Sequence, residues 1–381
     1  MGKWIVAPDS FKGTVSAQEF CRIAEREIRA CAPGSRVVSL PLADGGEGTA
    51  DCFLYAVPDS QKVEVSVSGP FGELCEAYYV RMGSTAVIEM AQCAGLPQVE
   101  GREDPMRATT YGVGQMIAHA VGAGCKKIVV GLGGSCTNDG GAGMAAALGT
   151  VFTGRDGRSF VPSGGTLREV AAYDAGPARA LLAGVELTAM CDIDNPLYGP
   201  SGAACVFAPQ KGADAAMVQQ LDHGLQVLGE LMDRTEGRSV SAMPGAGAAG
   251  GLGAGIAAFL GGSLRSGIET VLDLVDFDRE LEGAQLVITG EGRIDGQSLR
   301  GKTIAGVAGR ARSCGVPVAV VAGSIEPGAE GAYALGVTAM FSTNPRCELF
   351  ETARLSAEEN LAAAVRNVAR LWCAARGEAV R

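Results

Sequence analysis

The chain has 381 residues, of which 19% are charged, 5% are aromatic and 56 are glycine, a length and composition that favour two globular α/β domains with many tight loops over a disordered or fibrous chain. A net charge of −10 argues against a nucleic-acid partner, which would need a basic face to displace counterions. An anionic small molecule remains open, because a few local cations and backbone N–H groups override the global sign.

No apolar run approaches a membrane span, and MGKWIVAPDS enters a strand at once, leaving no room for a signal peptide. The twelve cysteines include no C-x-x-C pair and read as reduced thiols packed as small hydrophobes, so a cytoplasmic setting is expected. His119 and His223 are the two histidines, each in a helical pattern. They offer no basis for a zinc centre or a histidine triad.

In chain order, KWIVAPDS predicts a buried strand and a loop, and SAQE (Ser16 to Glu19) a capping box opening a helix to about Ala30. Pro33-Gly34 turns into the strand RVVSLPL, which ends in the acidic glycine loop ADGGEGT. KVEVSVS, CEAYYVR and TAVIEM alternate with period two and predict an antiparallel meander, the start of an inserted domain. Helix, the strand KIVVGL, a glycine loop and a helix follow. Residues 185–207 predict a strand into CDIDNP and a second strand, AACVFAP. Asp214 to Thr235 predicts a long amphipathic helix, and 248–282 a glycine-rich, then acidic, helical region.

QLVITG, VPVAVVAG and VTAMFS then read as short buried strands, each followed by a helical segment, the last opening with a second capping box, SAEE. The expected fold class is α/β, with a flavodoxin-like or Rossmann-like doubly wound parallel-sheet domain of residues 1–60 and 284–381, interrupted by a mixed α/β domain of residues 61–283. In such a sheet, ligands sit beyond the carboxyl ends of the strands. The loops there are PDSFKG, LADGGEGT, TGEGRIDGQ, AGS and STNP.

Three glycine patterns compete for a nucleotide. GQSLRGKT (residues 296–303) spells a P-loop, but six residues separate it from the strand LVIT, and no strand ending in a magnesium-binding Asp follows. GAGAAG (245–250) follows no strand and reads as close-packing glycines, not a dinucleotide fingerprint. GLGGSCTNDGGAGM (131–144) follows a strand and opens a helix. Its Ser135, Thr137 and Asn138 could join backbone N–H groups around an anion, with Asp139 acting through Mg²⁺. Asn138 or Asp139 as a plain N-cap is the structural alternative.

These loops together resemble the type I glycerate kinase family. The resemblance rests on APDSFKG (7–13), LADGGEGT (42–49), TTYGVG (109–114), GLGGSCTNDGGAGM, CDIDNPLYGPSGA (191–203), FAPQKGA (207–213), PGAGAAGGLGAG (244–255) and TGEGRIDGQSLRGK (289–302), in the family's order over nearly the whole length. Cys136, the KGT after PDSF, Thr303 (commonly alanine in the family) and STNPRCELFE depart from the pattern. The resemblance implies transfer of the ATP γ-phosphoryl group to D-glycerate with Mg²⁺, giving 2-phosphoglycerate in an interdomain cleft. Its partners would be D-glycerate and ATP, without nucleic acid or membrane, with a homodimer as an open option. Glycerate 3-kinase regiochemistry and an NAD-dependent hydroxy-acid dehydrogenase are the alternatives.

Phosphoryl transfer needs cations on the phosphates, a positioned hydroxyl and a base. With no suitable histidine, a carboxylate base is expected. Asp192 is the first choice, Asp194 or Asn195 lies beside it, and Asp44 competes. Lys12 and Arg293 complete the catalytic set. Asp9, Ser10, Gly45, Gly46, Glu47, Ser135, Thr137, Asn138, Asn195, Glu291, Gln297 and Lys302 are assigned to substrate or ATP, and Asp139 and Asp295 to the metal. Arg293 and Lys302 suit phosphate oxygens or the glycerate carboxylate, and Thr303 reads as incidental.

Overall fold

A computed structural model describes residues 2–46, 48–296, 302–346 and 349–377. In chain order the strands are β1 (Lys3–Val6), β2 (Arg36–Ser39), β3 (Gln61–Ser68), β4 (Leu74–Met82), β5 (Thr85–Glu89), β6 (Lys127–Gly131), β7 (Val151–Gly154), β8 (Ser159–Phe160), β9 (Val170–Asp174), β10 (Glu186–Met190), β11 (Ser263–Arg265), β12 (Ala284–Ile294), β13 (Val318–Ile325) and β14 (Val337–Ser342). The chain divides into two compact units. The first comprises 1–44, 51–58 and 268–381; the second comprises 45–50 and 59–267.

The first unit is built on a five-stranded sheet in the order β14-β13-β12-β1-β2, with every pairing parallel. Its central strands are continuous apolar runs because helices cover both faces, as all-parallel sheets require. On one face the helices Ala17–Cys31 and Ala357–Ala375 bury Phe20, Ile23, Ile28, Leu361 and Val365 against Trp4, Val6 and Ile288. Each fully buried aliphatic or aromatic side chain contributes ~1.5–3 kcal/mol. Arg366 donates to Glu27 at 2.7 Å across this helix pair.

The unit boundary at 268 lies earlier than the expected 284. The helices Gly267–Leu274 and Phe277–Leu281 bring Ile268 and Leu272 against Gly306. Their Glu269, Asp273 and Asp278 hold Arg310 of the helix Thr303–Ser313. Apolar packing and this ion cluster tie residues 268–281 to the first unit.

The second unit carries a six-stranded sheet, β11-β10-β6-β5-β4-β3, in which the meander β3-β4-β5 is antiparallel and β5, β6, β10 and β11 run parallel. A small antiparallel sheet, β8-β7-β9, was not foreseen. AACVF is the helix Ala203–Phe207, not a strand. A short apolar run carries no period of its own, and helix and strand both accommodate it. The first capping box forms in part, Ser16 accepting from the Glu19 N–H at 3.1 Å. Ser356, at the head of the last helix, makes no side-chain cap bond.

Candidate active site

At the carboxyl end of the first unit's sheet lies a cavity of about 570 Å³. The loop after β1 supplies Asp9, Ser10 and Lys12, the loop after β2 supplies Asp44, and the end of β12 supplies Glu291 and Arg293. Lys302, just before the helix Thr303–Ser313, closes one side. Chain-distant residues meet here because parallel strands deliver all their terminal loops to one edge. Seven of the residues singled out from the sequence thus line one cavity.

Asp9 is anchored at both ends. Its N–H donates to the Gly290 carbonyl at 2.8 Å, its Oδ1 accepts from the Ser10 N–H at 2.6 Å, and its Oδ2 accepts from the Thr303 hydroxyl at 3.0 Å. Burial, then the neighbouring Asp44 charge, pushes the Asp9 carboxyl up to about 6 against the pull of these donors and of Lys12. Thr303 is fully buried. Reading it as incidental is therefore corrected: its hydroxyl orients an acid of the cavity wall.

The P-loop reading also changes. β12 runs on to Ile294, so GQSLRGKT opens just after a strand and not six residues beyond it. Gln297 and the rest of that pattern up to Gly301 lie outside the described residues, as does Glu47. Asp295 is not on the cavity wall; it faces Arg293 at 3.4 Å. The segment STNPRCELFE, expected to border the substrate, does supply Thr343, Asn344 and Phe350 to the wall, with Arg354 just beyond it.

The second unit holds the other residues. Gly45 has φ of +91° and a Cβ there would meet Met190, while a Cβ on Gly133 would lie 2.5 Å from the Gly46 Cα. Asp139 is fully buried. Its Oδ2 accepts from the Thr110 N–H at 2.7 Å, the Thr110 hydroxyl at 2.9 Å, the Thr109 hydroxyl and the Gly143 N–H at 3.3 Å, and its Oδ1 from the Gly141 N–H at 3.1 Å. Burial raises its carboxyl above the ordinary range despite those donors. Four of these bonds fall on Oδ2 and one on Oδ1, an arrangement that suits a local backbone anchor as well as the expected Mg²⁺ ligand.

Lys211 was missed. It is almost fully buried, and its ammonium donates to Ser135 Oγ at 2.8 Å and the Thr137 carbonyl at 2.6 Å, binding the glycine loop from beneath. Burial lowers its pKa to about 8. Beside it, Thr137 and Asn138 are buried, and the Asn138 side-chain amide makes no hydrogen bond among the described residues. A lone lysine in FAPQKGA carries no periodic signal, so only the loop's resemblance pointed to this region.

Asp192 follows β10 and is exposed; its Oδ1 accepts from the Ser266 hydroxyl at 3.1 Å and the Gly267 N–H at 2.8 Å. Asn195 donates to the Ser201 carbonyl at 2.7 Å. GAGAAG lies at the head of the helix Ala248–Phe259, after no strand, with Gly250 packed on Thr137 and Asn138, as the close-packing reading expects. Among the described residues, no three His, Cys, Asp or Glu side chains converge as a metal cage. His119 is bonded to the Tyr79 hydroxyl at 3.1 Å, and the described cysteines are free thiols.

The sequence model described as the glycerate kinase family matches residues 4–373. A glycerate kinase of Bacillus cereus is 42% identical over 373 residues, covering 97% of this chain and 98% of its own. A glycerate 2-kinase of Escherichia coli is 39% identical over 370 residues, covering 96% and 97%. A solved structure described as glycerate kinase 2 from Salmonella typhimurium LT2 superposes with a TM-score of 0.86 at 40% identity, covering 99% of both chains.

Proposed function

The chain belongs to the glycerate kinase family, and from that premise we propose that it transfers the γ-phosphoryl group of ATP to the 2-hydroxyl of D-glycerate. The observation that carries the reading is the first unit's cavity, where Lys12, Arg293, Lys302 and Arg354 line the same wall as Asp9, Asp44 and Glu291. Cations of this kind neutralise phosphate and carboxylate oxygens, and a nearby carboxylate receives the hydroxyl proton. Lys12 and Lys302 act on phosphate as point charges, and Arg354 takes the glycerate carboxylate, for which a guanidinium fork is shaped. The choice of the 2-hydroxyl is supported by the E. coli relative's description as a glycerate 2-kinase.

Mg²⁺ keeps phosphate oxygens and waters as most of its ligands and needs only one or two carboxylates. Asp295, partly exposed just after β12 and beside the cavity-lining Arg293, would approach such an ion from the edge of the cavity, whereas Asp139 is already held by a ring of donors. When bound with ATP, the ion spreads the charge of the β- and γ-phosphates. Among the described residues, no helix is long and apolar enough to cross a membrane.

The test is ADP release by the purified chain with MgATP, with and without D-glycerate. Release that depends on D-glycerate supports the reading. ATP left intact, with NADH formed from NAD⁺ and glycerate instead, sinks it.

A further inference from the structure

We infer that Asp9 is the group that accepts the proton of the attacking hydroxyl, and that Thr303 is its positioning residue, holding Oδ2 through the 3.0 Å hydrogen bond. The inference rests on the function proposed above and adds the acceptor that neither the family match nor the relatives' descriptions assign. In the step, the glycerate oxygen bonds to the γ-phosphorus, and the bond from that phosphorus to the β–γ bridging oxygen breaks. Its electron pair leaves on ADP, and the hydroxyl proton passes to the Asp9 carboxylate and then to solvent.

Three observations converge on Asp9. It lines the cavity, so a substrate hydroxyl can reach it. Two donors, the Ser10 N–H and the Thr303 hydroxyl, hold one oxygen each, which fixes the rotamer while leaving lone pairs on both oxygens. It makes no ion pair among the described residues, whereas Asp295 faces Arg293 at 3.4 Å. Asp192, the choice from sequence alone, has Oδ1 committed to Ser266 and Gly267.

The electrostatics agree. Burial and Asp44 raise the carboxyl to about 6, with Ser10, Thr303 and Lys12 opposing. Glu291, Arg293, Lys302 and Arg354 are the other charged groups of the cavity wall. An acid with that pKa is ionised at neutral pH and still takes a proton readily, the compromise a general base needs. Thr303 stabilises the charged form, so it tunes the acid as well as aiming it.

The experiment is the pH profile of kcat/KM for D-glycerate with saturating MgATP, for wild type, Thr303→Val, Thr303→Ser, Asp9→Asn and Asp192→Asn. Circular dichroism establishes that each variant is folded. The wild type is expected to lose activity as pH falls through about 6. Thr303→Val moves that limb up by about half to one pH unit, because the ionised carboxylate has lost a donor, and Thr303→Ser restores it. Asp9→Asn loses ~10²–10⁴-fold and its acid limb disappears.

A limb unmoved in Thr303→Val, an Asp9→Asn rate within tenfold of wild type, or a limb that moves in Asp192→Asn instead overturns the inference. Glycerate-dependent ADP release in wild type combined with any of these removes the acceptor and leaves the proposed function standing. No release in wild type removes both.

Discussion

Thr303 donates its hydroxyl to Asp9 Oδ2 at 3.0 Å, joining residues 294 positions apart in the chain. The bond exists because β1 and β12 are parallel neighbours, so the loop after one strand meets the helix that follows the other. Holding an acid in this enclosed place costs stability, and the sign can be worked out. The folded carboxyl titrates at about 6 against an ordinary 3.8. The folded chain therefore binds more protons between those pH values, and Asp9 makes stability fall as pH rises through that window. Asp9→Asn should raise unfolding stability at pH 7.5 by about 1–3 kcal/mol, with the gain shrinking below pH 4. Urea unfolding at both pH values reads it; equal stability at pH 7.5 would count against the enclosed, destabilised acid.

Neighbouring positions 249 and 250 should respond in opposite directions. Ala249 has φ of +53°, a left-handed conformation costing a side chain about 1 kcal/mol, so Ala249→Gly is expected to be neutral to stabilising by about that amount. Gly250 has φ of +67°, and a Cβ there would lie 2.0 Å from the Thr137 carbonyl oxygen. Gly250→Ala should cost more than ~2 kcal/mol and disturb the glycine loop, since a backbone oxygen cannot rotate away. Thermal unfolding of the two variants, with opposite shifts in Tm, checks the local packing.

Lys211 offers a second linkage test. Burial lowers its pKa from 10.5 to about 8, so between those values the unfolded chain binds the extra proton and stability rises with pH. Lys211→Met should lack this contribution. The difference in Tm between wild type and variant is expected to grow in favour of wild type from pH 7.5 to pH 10. A constant difference would mean that the ammonium is not held in a dry site.

The parallel sheet of the first unit was legible because strands buried on both faces are written as uninterrupted apolar runs, and each run marks the loop at its carboxyl end. The strands β7 and β8 were not legible. Ser159–Phe160 is two residues long, too short to show alternation. Asp9, Lys12, Asp44, Glu291, Arg293 and Lys302 share one cavity because parallel strand order brings such loops together. Thr303 was passed over because its neighbours invited comparison with a nucleotide loop, whereas its partner lies at the other end of the chain. The burial of Lys211 and the ring of donors around Asp139 were not foreseen for a related reason. Whether a charged side chain faces solvent, a ligand or a ring of backbone donors depends on burial, which a glycine-rich loop sequence does not encode.

The most direct measurement is ³¹P NMR of the product formed from MgATP and D-glycerate by the purified chain. ADP together with 2-phosphoglycerate is expected, in equal amounts and only when D-glycerate is present. A 3-phosphoglycerate resonance would contradict the assigned hydroxyl, and unchanged ATP would contradict the reaction itself.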